Sequence, residues 1–313
     1  MDATSNDGFT GSSRRHFLSR TGPLLALALT RDWAIPGWGQ TSLKEARGLV
    51  GSNVYGWTQY AQRDKKPFDV TEVISALRDT GYDYLESFMD VAHPEEITKF
   101  AEQLKSKGLK PVSLYTGARL HEAGKADEVV AHILAAAKVA SRSGFVVISC
   151  NPDPIGREKT DEELKTQAAG LEKLGAGLRE LGMYLGIHNH TPEMANQARE
   201  FHYNFAHTSP AHVGFCYDVH WVWKGGIQPM DALKQYGDRV VTWHLRQSRN
   251  GIWWEDLDTG DIDFSAVASF VKQHRLPERF SVELALEEGT KVTRSAVENH
   301  RRSREFVRRV FEV

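Results

Sequence analysis

From Leu49 onward, short apolar runs of strand length alternate with longer segments of helical period, and this alternation constrains the fold more than any other feature of the chain. The runs are L-V-G-S-N-V-Y near residue 50, Y-D-Y-L-E near 84, K-P-V-S-L-Y near 112 and F-V-V-I-S-C near 147. Y-L-G-I-H near 186, V-G-F-C-Y near 215, V-V-T-W-H near 242 and F-S-V-E-L near 282 continue the series. Each is followed by a helical segment, so neighbouring strands must run parallel and be joined by crossovers. Residues 161–181 carry Leu164, Ala168, Leu171, Leu174, Leu178 and Leu181 on one stripe. Thr160 and Glu163 have capping-box spacing at its start, and Gly182 can end it. Pro94 opens another helix that closes at Lys105, Lys107 and Gly108, and Asp69 with Glu72 opens the one before Gly81.

Eight such pairs in about 260 residues predict a single-domain α/β fold, a closed (β/α)8 TIM barrel, with a doubly wound open sheet as the runner-up. The strand-to-helix junctions separate the two. No G-x-G-x-x-G follows the first strand, and G-A-G at Gly175 to Gly177 sits inside the leucine stripe. Nearly every strand instead ends in polar or aromatic residues: Tyr55 and Trp57, Glu86, Tyr115, Asn151, His188 and His190, Asp218, His244 and Glu283. A barrel gathers all of these around one mouth.

Residues 1–41 read differently. Polar residues lead to S-R-R-H-F-L at Ser13 to Leu18 and then to the apolar P-L-L-A-L-A-L at Pro23 to Leu29. This resembles a twin-arginine export signal followed by a linker, which puts the mature protein in the periplasm or beyond. A basic leader before a short hydrophobic helix is the alternative. The apolar run is too short to span a bilayer, so no membrane span is expected in the mature protein. The barrel then occupies residues 42–313. A formal net charge of -2 shows no basic excess, which argues against a nucleic-acid partner. Cys150 and Cys216, the two cysteines, lie in separate apolar runs and are expected to be core thiols.

In a strand, residues two apart share a face, so His188 and His190 can point the same way while Asn189 points the other. Asp218, His244 and Glu283 close the next three strands. Imidazole and carboxylate donors from four successive strand ends suit a divalent ion, Mn, Co, Zn, Fe, Ni or Mg. A purely hydrogen-bonded cluster is the alternative. Glu86, Asn151, Asp153 and His220 could bind sugar hydroxyls, Arg246 an oxyanion, and Tyr55, Trp57, Trp221 and Trp243 a sugar face, although each aromatic residue could equally pack in the core. R-N-G-I-W-W-E-D-L at Arg249 to Leu257 reads as a long loop after the seventh strand, either a cover over the site or ordinary surface.

With these residues assembled, the chain resembles the xylose-isomerase-like barrel family, the sugar phosphate isomerases/epimerases. The resemblance covers roughly residues 48–313 and rests on six pieces in order. They are G-Y-D-Y-L-E at 81–86, H-N-H-T-P-E at 188–193, Y-D-V-H-W at 217–221, W-H-L-R at 243–246, G-D-I-D-F at 260–264 and V-E-L at 282–284. It implies Asp218, His244 and Glu283 as metal ligands. At the fifth strand, where keto-sugar epimerases carry a glutamate, this chain has His188, which keeps a ligand but removes a carboxylate base. The resemblance implies a metal-dependent isomerase or epimerase acting by enediolate proton transfer on a small carbohydrate, with Glu283, His190 and His188 as the catalytic groups. Export would make that sugar unphosphorylated. A lyase or hydratase acting on keto-sugars or 3-keto-glycosides, and a non-catalytic sugar-binding barrel, are the alternatives. A DNA-repair endonuclease of the same fold would need a basic face that is not present. Assembly into a homo-oligomer stays open.

The export reading has a direct check. Replacing Arg14 and Arg15 together by Lys should leave the protein in the cytoplasm, as followed by fractionation; unchanged export would rule the signal out.

Overall fold

A computed structural model describes residues 48–313, and the twin-arginine-like segment lies outside them. Eight parallel strands close into a barrel in the order β1-β10-β7-β6-β5-β4-β3-β2. They are β1 (Leu49–Asn53), β2 (Tyr84–Phe88), β3 (Ser113–Ala118), β4 (Val147–Pro152), β5 (Tyr184–Ile187), β6 (Val213–Asp218), β7 (Val240–Leu245) and β10 (Arg279–Val282). Each coincides with one of the eight expected apolar runs. The open-sheet alternative fails because β1 pairs with both β2 and β10 and leaves no edge.

The helices form where their end signals stand. In α5 (Asp161–Glu180), Thr160 Oγ1 accepts from the Glu163 N–H while the Glu163 carboxylate accepts from the Thr160 N–H, a reciprocal capping box. Leu164, Ala168, Leu171, Leu174 and Leu178 of its stripe are buried. Pro94 takes the first position of α3 (Pro94–Ser106), and Asp69 caps α2 (Val70–Asp79). The segment after β7 departs from the expected plain loop. It folds into a two-stranded antiparallel ribbon, β8 (Ser248–Arg249) and β9 (Ile252–Trp253). Asn250 and Gly251 turn the ribbon with positive φ, and the Asp261 carboxylate accepts from both of their N–H groups. Among the described residues, no helix is long and apolar enough to cross a membrane.

Side-chain parity decides what fills the barrel. Tyr84 lies inside, its hydroxyl 3.0 Å from Ser281 Oγ on β10, and Gly51 on the neighbouring strand makes room for its ring. A Cβ on Gly51 would sit 2.2 Å from that ring. Two residues further along the same faces come Asn53, Glu86 and Glu283, so the packed interior leads directly to the polar mouth. Both cysteines are free and buried, as expected.

Gly51→Ala should therefore overpack the barrel and cost about 1–3 kcal/mol, read as a lowered denaturation midpoint. An unchanged midpoint would show that Tyr84 moves aside at no cost.

Candidate functional site

His188 is the first residue beyond β5, Asp218 ends β6, His244 lies near the end of β7 and Glu283 follows β10. One donor atom from each lies within 4.8 Å of the others, and all four residues are buried. Asp218 serves two neighbours. Its Oδ1 accepts from the Trp221 N–H at 2.8 Å, capping α7 (Val219–Lys224), while Oδ2 stands 3.4 Å from His188 Nε2 and 3.3 Å from Arg246 Nη2. Arg246 Nη2 also donates to Glu283 Oε1 at 2.7 Å. Burial alone would raise both carboxyls, but the Arg246 guanidinium outweighs it, with His188 helping at Asp218 and His244 at Glu283. Asp218 is held far below the usual carboxylate range and Glu283 at about 2, so both are ionised.

His244 is oriented from across the barrel. Its Nε2 and Glu86 Oε1 are 2.6 Å apart, and Glu86 also accepts from Asn53 Nδ2 and Ser149 Oγ. Nδ1 lies 3.0 Å from Glu283 Oε2; burial alone would favour the neutral ring, but Cys216 and Glu86 beside it raise its pKa well above the usual imidazole value, so a cation bound here would take the place of the Nδ1 proton. Nδ1 makes no hydrogen bond there, and neither ring nitrogen of the buried His188 has a hydrogen-bond partner. Such orphaned acceptors beside two ionised carboxylates fit a cation. Ligands held at about 2.0–2.2 Å from one ion stand at most about 4.4 Å apart, so a small inward movement of the four would complete its shell. Two imidazole nitrogens and two carboxylate oxygens suit Zn, Fe, Mn, Co or Ni better than Mg, which prefers oxygen donors.

The other expected residues separate into groups. His190 stands over His188, ring centroids 4.6 Å apart, and edge-on to Trp221 at 5.6 Å; burial lowers its pKa to about 3. His220 is buried behind Trp221 and Trp253, and neither ring nitrogen has a hydrogen-bond partner. Arg246 stacks on Trp253 at 4.1 Å, so the ribbon after β7 covers the guanidinium. Asn151 is buried at the end of β4, its Oδ1 without a hydrogen-bond partner.

Glu86, expected to take hydroxyls, instead spends its oxygens on His244, Asn53 and Ser149. Trp57 is not at the mouth. Its ring stacks on His300 of α10 (Ala296–Phe311) at 4.0 Å and its indole N–H donates to Ser52 Oγ, because helical geometry turns it away from the strand's inner face. Trp243 is likewise core, donating to the Pro277 carbonyl. The sequence reading overlooked Asn53, whose Oδ1 caps α1 (Val54–Arg63) while its amide holds Glu86. An Asn between strand and helix is a cap signal that could have found it. It also passed over Lys224 and Glu287, which pair at 3.0 Å beside Trp221 and Trp253.

The profile of the xylose isomerase-like TIM barrel family matches residues 74–310. The chain belongs to that family. Among solved structures, this family member superposes on a sugar phosphate isomerase/epimerase from Parabacteroides distasonis with a TM-score of 0.68 at 18% identity, covering 84% of this chain and 95% of that one. It matches the IOLI protein with a bound zinc atom at TM-score 0.66 and 18% identity, covering 84% and 98%. An inosose dehydratase from Geobacillus kaustophilus is 31% identical over 93 residues, 30% of each chain. The chain thus spans about a third of the length of the curated relatives it matches.

If the four residues share an ion, Asp218→Ala should abolish stoichiometric metal while leaving the far-ultraviolet circular dichroism barrel-like. Glu86→Gln should weaken metal affinity by about 10–100-fold by releasing His244. Full metal occupancy in Asp218→Ala would contradict the assignment.

Proposed function

We propose that this barrel is a metal-dependent enzyme that removes the proton beside the carbonyl of an unphosphorylated keto-sugar or sugar derivative, with His188, Asp218, His244 and Glu283 holding the ion. The observation that carries the reading is the buried four-residue cluster with its orphaned imidazole nitrogens. A divalent ion bound there would polarise a carbonyl and its neighbouring hydroxyl and acidify the adjacent C–H. The name of the zinc-bound neighbour supports such an ion.

Charge supports a neutral substrate. Three buried carboxylates, Glu86, Asp218 and Glu283, would be balanced by the Arg246 guanidinium and a divalent cation. Lys224 is already engaged by Glu287, so a phosphate would find no unpaired cation there. Export, as expected from the S-R-R-H-F-L segment, would fit the same substrate class.

Glu283 is the base in this reading, since it is ionised, while Glu86 is held by three hydrogen bonds. Proton return to the opposite face or to the neighbouring carbon makes the enzyme an epimerase or isomerase, as the name of the Parabacteroides distasonis neighbour suggests. One observation favours elimination instead. The fifth strand supplies His188 and His190 rather than a carboxylate, so Glu283 is the one carboxylate base of the pair, which suits a single proton removal with loss of a β-hydroxyl or alkoxyl better than proton exchange on two faces; His190, kept neutral by burial, would hydrogen-bond the leaving oxygen. The inosose dehydratase relatives point the same way.

Incubating metal-loaded protein with a panel of keto-sugars in D2O tests both. Solvent deuterium should enter the carbon beside the carbonyl, and Glu283→Gln should slow this by about 10²–10⁴-fold. An inverted or isomerised sugar identifies the first fate, an unsaturated product the second. The absence of both exchange and an unsaturated product, for every sugar at full metal occupancy, would rule the reading out.

A further inference from the structure

One flank of the mouth, where β3 and β4 end, carries unpartnered hydrogen-bond acceptors. On β4, Ser149 faces inward, since its hydroxyl donates to Glu86. Asn151 and then Asp153 follow at two-residue steps on the same face, and the ladder still holds there, with the Asp153 N–H donating to the Ala118 carbonyl at 3.0 Å. Asn151 stands between two neighbours. Its register partner on β3 is Gly117, and on its other side His188 joins the ladder by donating its N–H to the Cys150 carbonyl at 2.8 Å.

Gly117 shares a face with Tyr115, whose ring meets His188 at 5.5 Å, so a side chain at 117 would point into the mouth. Asp153 takes that space instead. A Cβ on Gly117 would lie 2.4 Å from Asp153 Oδ1, so the carboxylate leans over β3 at the mouth. It is partly exposed and makes no hydrogen bond or ion pair among the described residues. Asn151 is only 4% exposed. Its Nδ2 donates to the Pro152 carbonyl at 3.2 Å, which leaves Oδ1 as a buried acceptor without a partner. Such an atom is costly unless something supplies a donor to it. Across the mouth the polarity reverses, because the buried Arg246 atoms without a partner, Nε and Nη1, are donors.

We propose that Asn151 Oδ1 and the Asp153 carboxylate form a hydroxyl-selecting subsite that receives the O–H groups of a neutral sugar whose carbonyl lies at the four-residue cluster, and that Gly117 keeps the space Asp153 needs. The proposal rests on the keto-sugar reading and deepens it by fixing which way the sugar lies. Its carbonyl is directed to the cluster and Arg246, and its remote hydroxyls to β4. A uronate or a phosphate group on the β4 side would bring further acceptors to acceptors.

Calorimetry on the metal-loaded full chain tests it with D-allulose, D-tagatose and methyl 3-keto-β-glucoside, each beside its singly deoxygenated counterparts. For a sugar that binds, loss of the hydroxyl that meets Asp153 should weaken binding about tenfold, the scale of a hydrogen bond to a carboxylate. Asp153→Ala should weaken the parent sugar equally and leave that deoxy sugar unaffected. Gly117→Ala, which removes no polar group, should reproduce this by displacing Asp153, and Asn151→Ala should do the same for a different hydroxyl. Thermal melts identify the folded variants, and the partly exposed Asp153 carries the test if a change at Asn151 unfolds the barrel. Equal weakening of the parent and every deoxy sugar would give these residues a purely structural role and overturn the subsite. Deoxy sugars that all bind as the parent does would overturn it too. Failure of every sugar to bind would overturn the keto-sugar reading with it.

Discussion

The hydrogen bond between Glu86 and His244 joins β2 to β7 across the barrel mouth, and the geometry of the site depends on it. It fixes the imidazole plane and leaves Nδ1 as the nitrogen that faces Glu283 and the remaining ligands. Asn53 and Ser149 hold Glu86 in turn, so residues from four strands cooperate to aim one imidazole nitrogen. A buried carboxylate without these donors would be costly, which is why the hydrogen bonds and the side chain they hold occur together.

A second balance concerns charge. Asp218 and Glu283 are buried close together, and neither would stay ionised there without compensation. Arg246 compensates from one side by donating to both, and its planar guanidinium is sheltered under Trp253. The ribbon that carries Trp253 is anchored separately, through Asp261 at its turn and through Glu287, which accepts the Trp253 N–H. Loop, guanidinium and carboxylates thus form one packed unit, and a change in any of them reaches the His188, Asp218, His244 and Glu283 cluster through direct contacts.

Much of this was legible in the residue order. Short apolar runs alternating with capped helices predicted the eight strands and the closed barrel, because parallel strands buried on both faces must be apolar and must be joined by helices. Thr160, Asp69 and Pro94 marked helix starts through local backbone chemistry that any helix end requires. His188, Asp218, His244 and Glu283 could be singled out since each stands at a strand end, and strand ends of a barrel converge.

What tertiary structure alone decided is where side chains of equal chemistry point and which partners they meet. Trp57 and Trp221 are both indoles just past strand ends, yet one packs on His300 and the other on His190, because they sit at different positions of their helices, fourth in α1 and third in α7. Glu86 and Glu283 are both strand-end glutamates, and only the cross-barrel approach of His244 turns the first into a support and leaves the second in the cluster with His188 and Asp218. The sequence by itself determined the strands, the helices and the set of polar residues at the mouth, since those follow from local periodicity and capping. The roles within that set came from contacts between residues as far apart as Glu86 and His244, which no local pattern encodes.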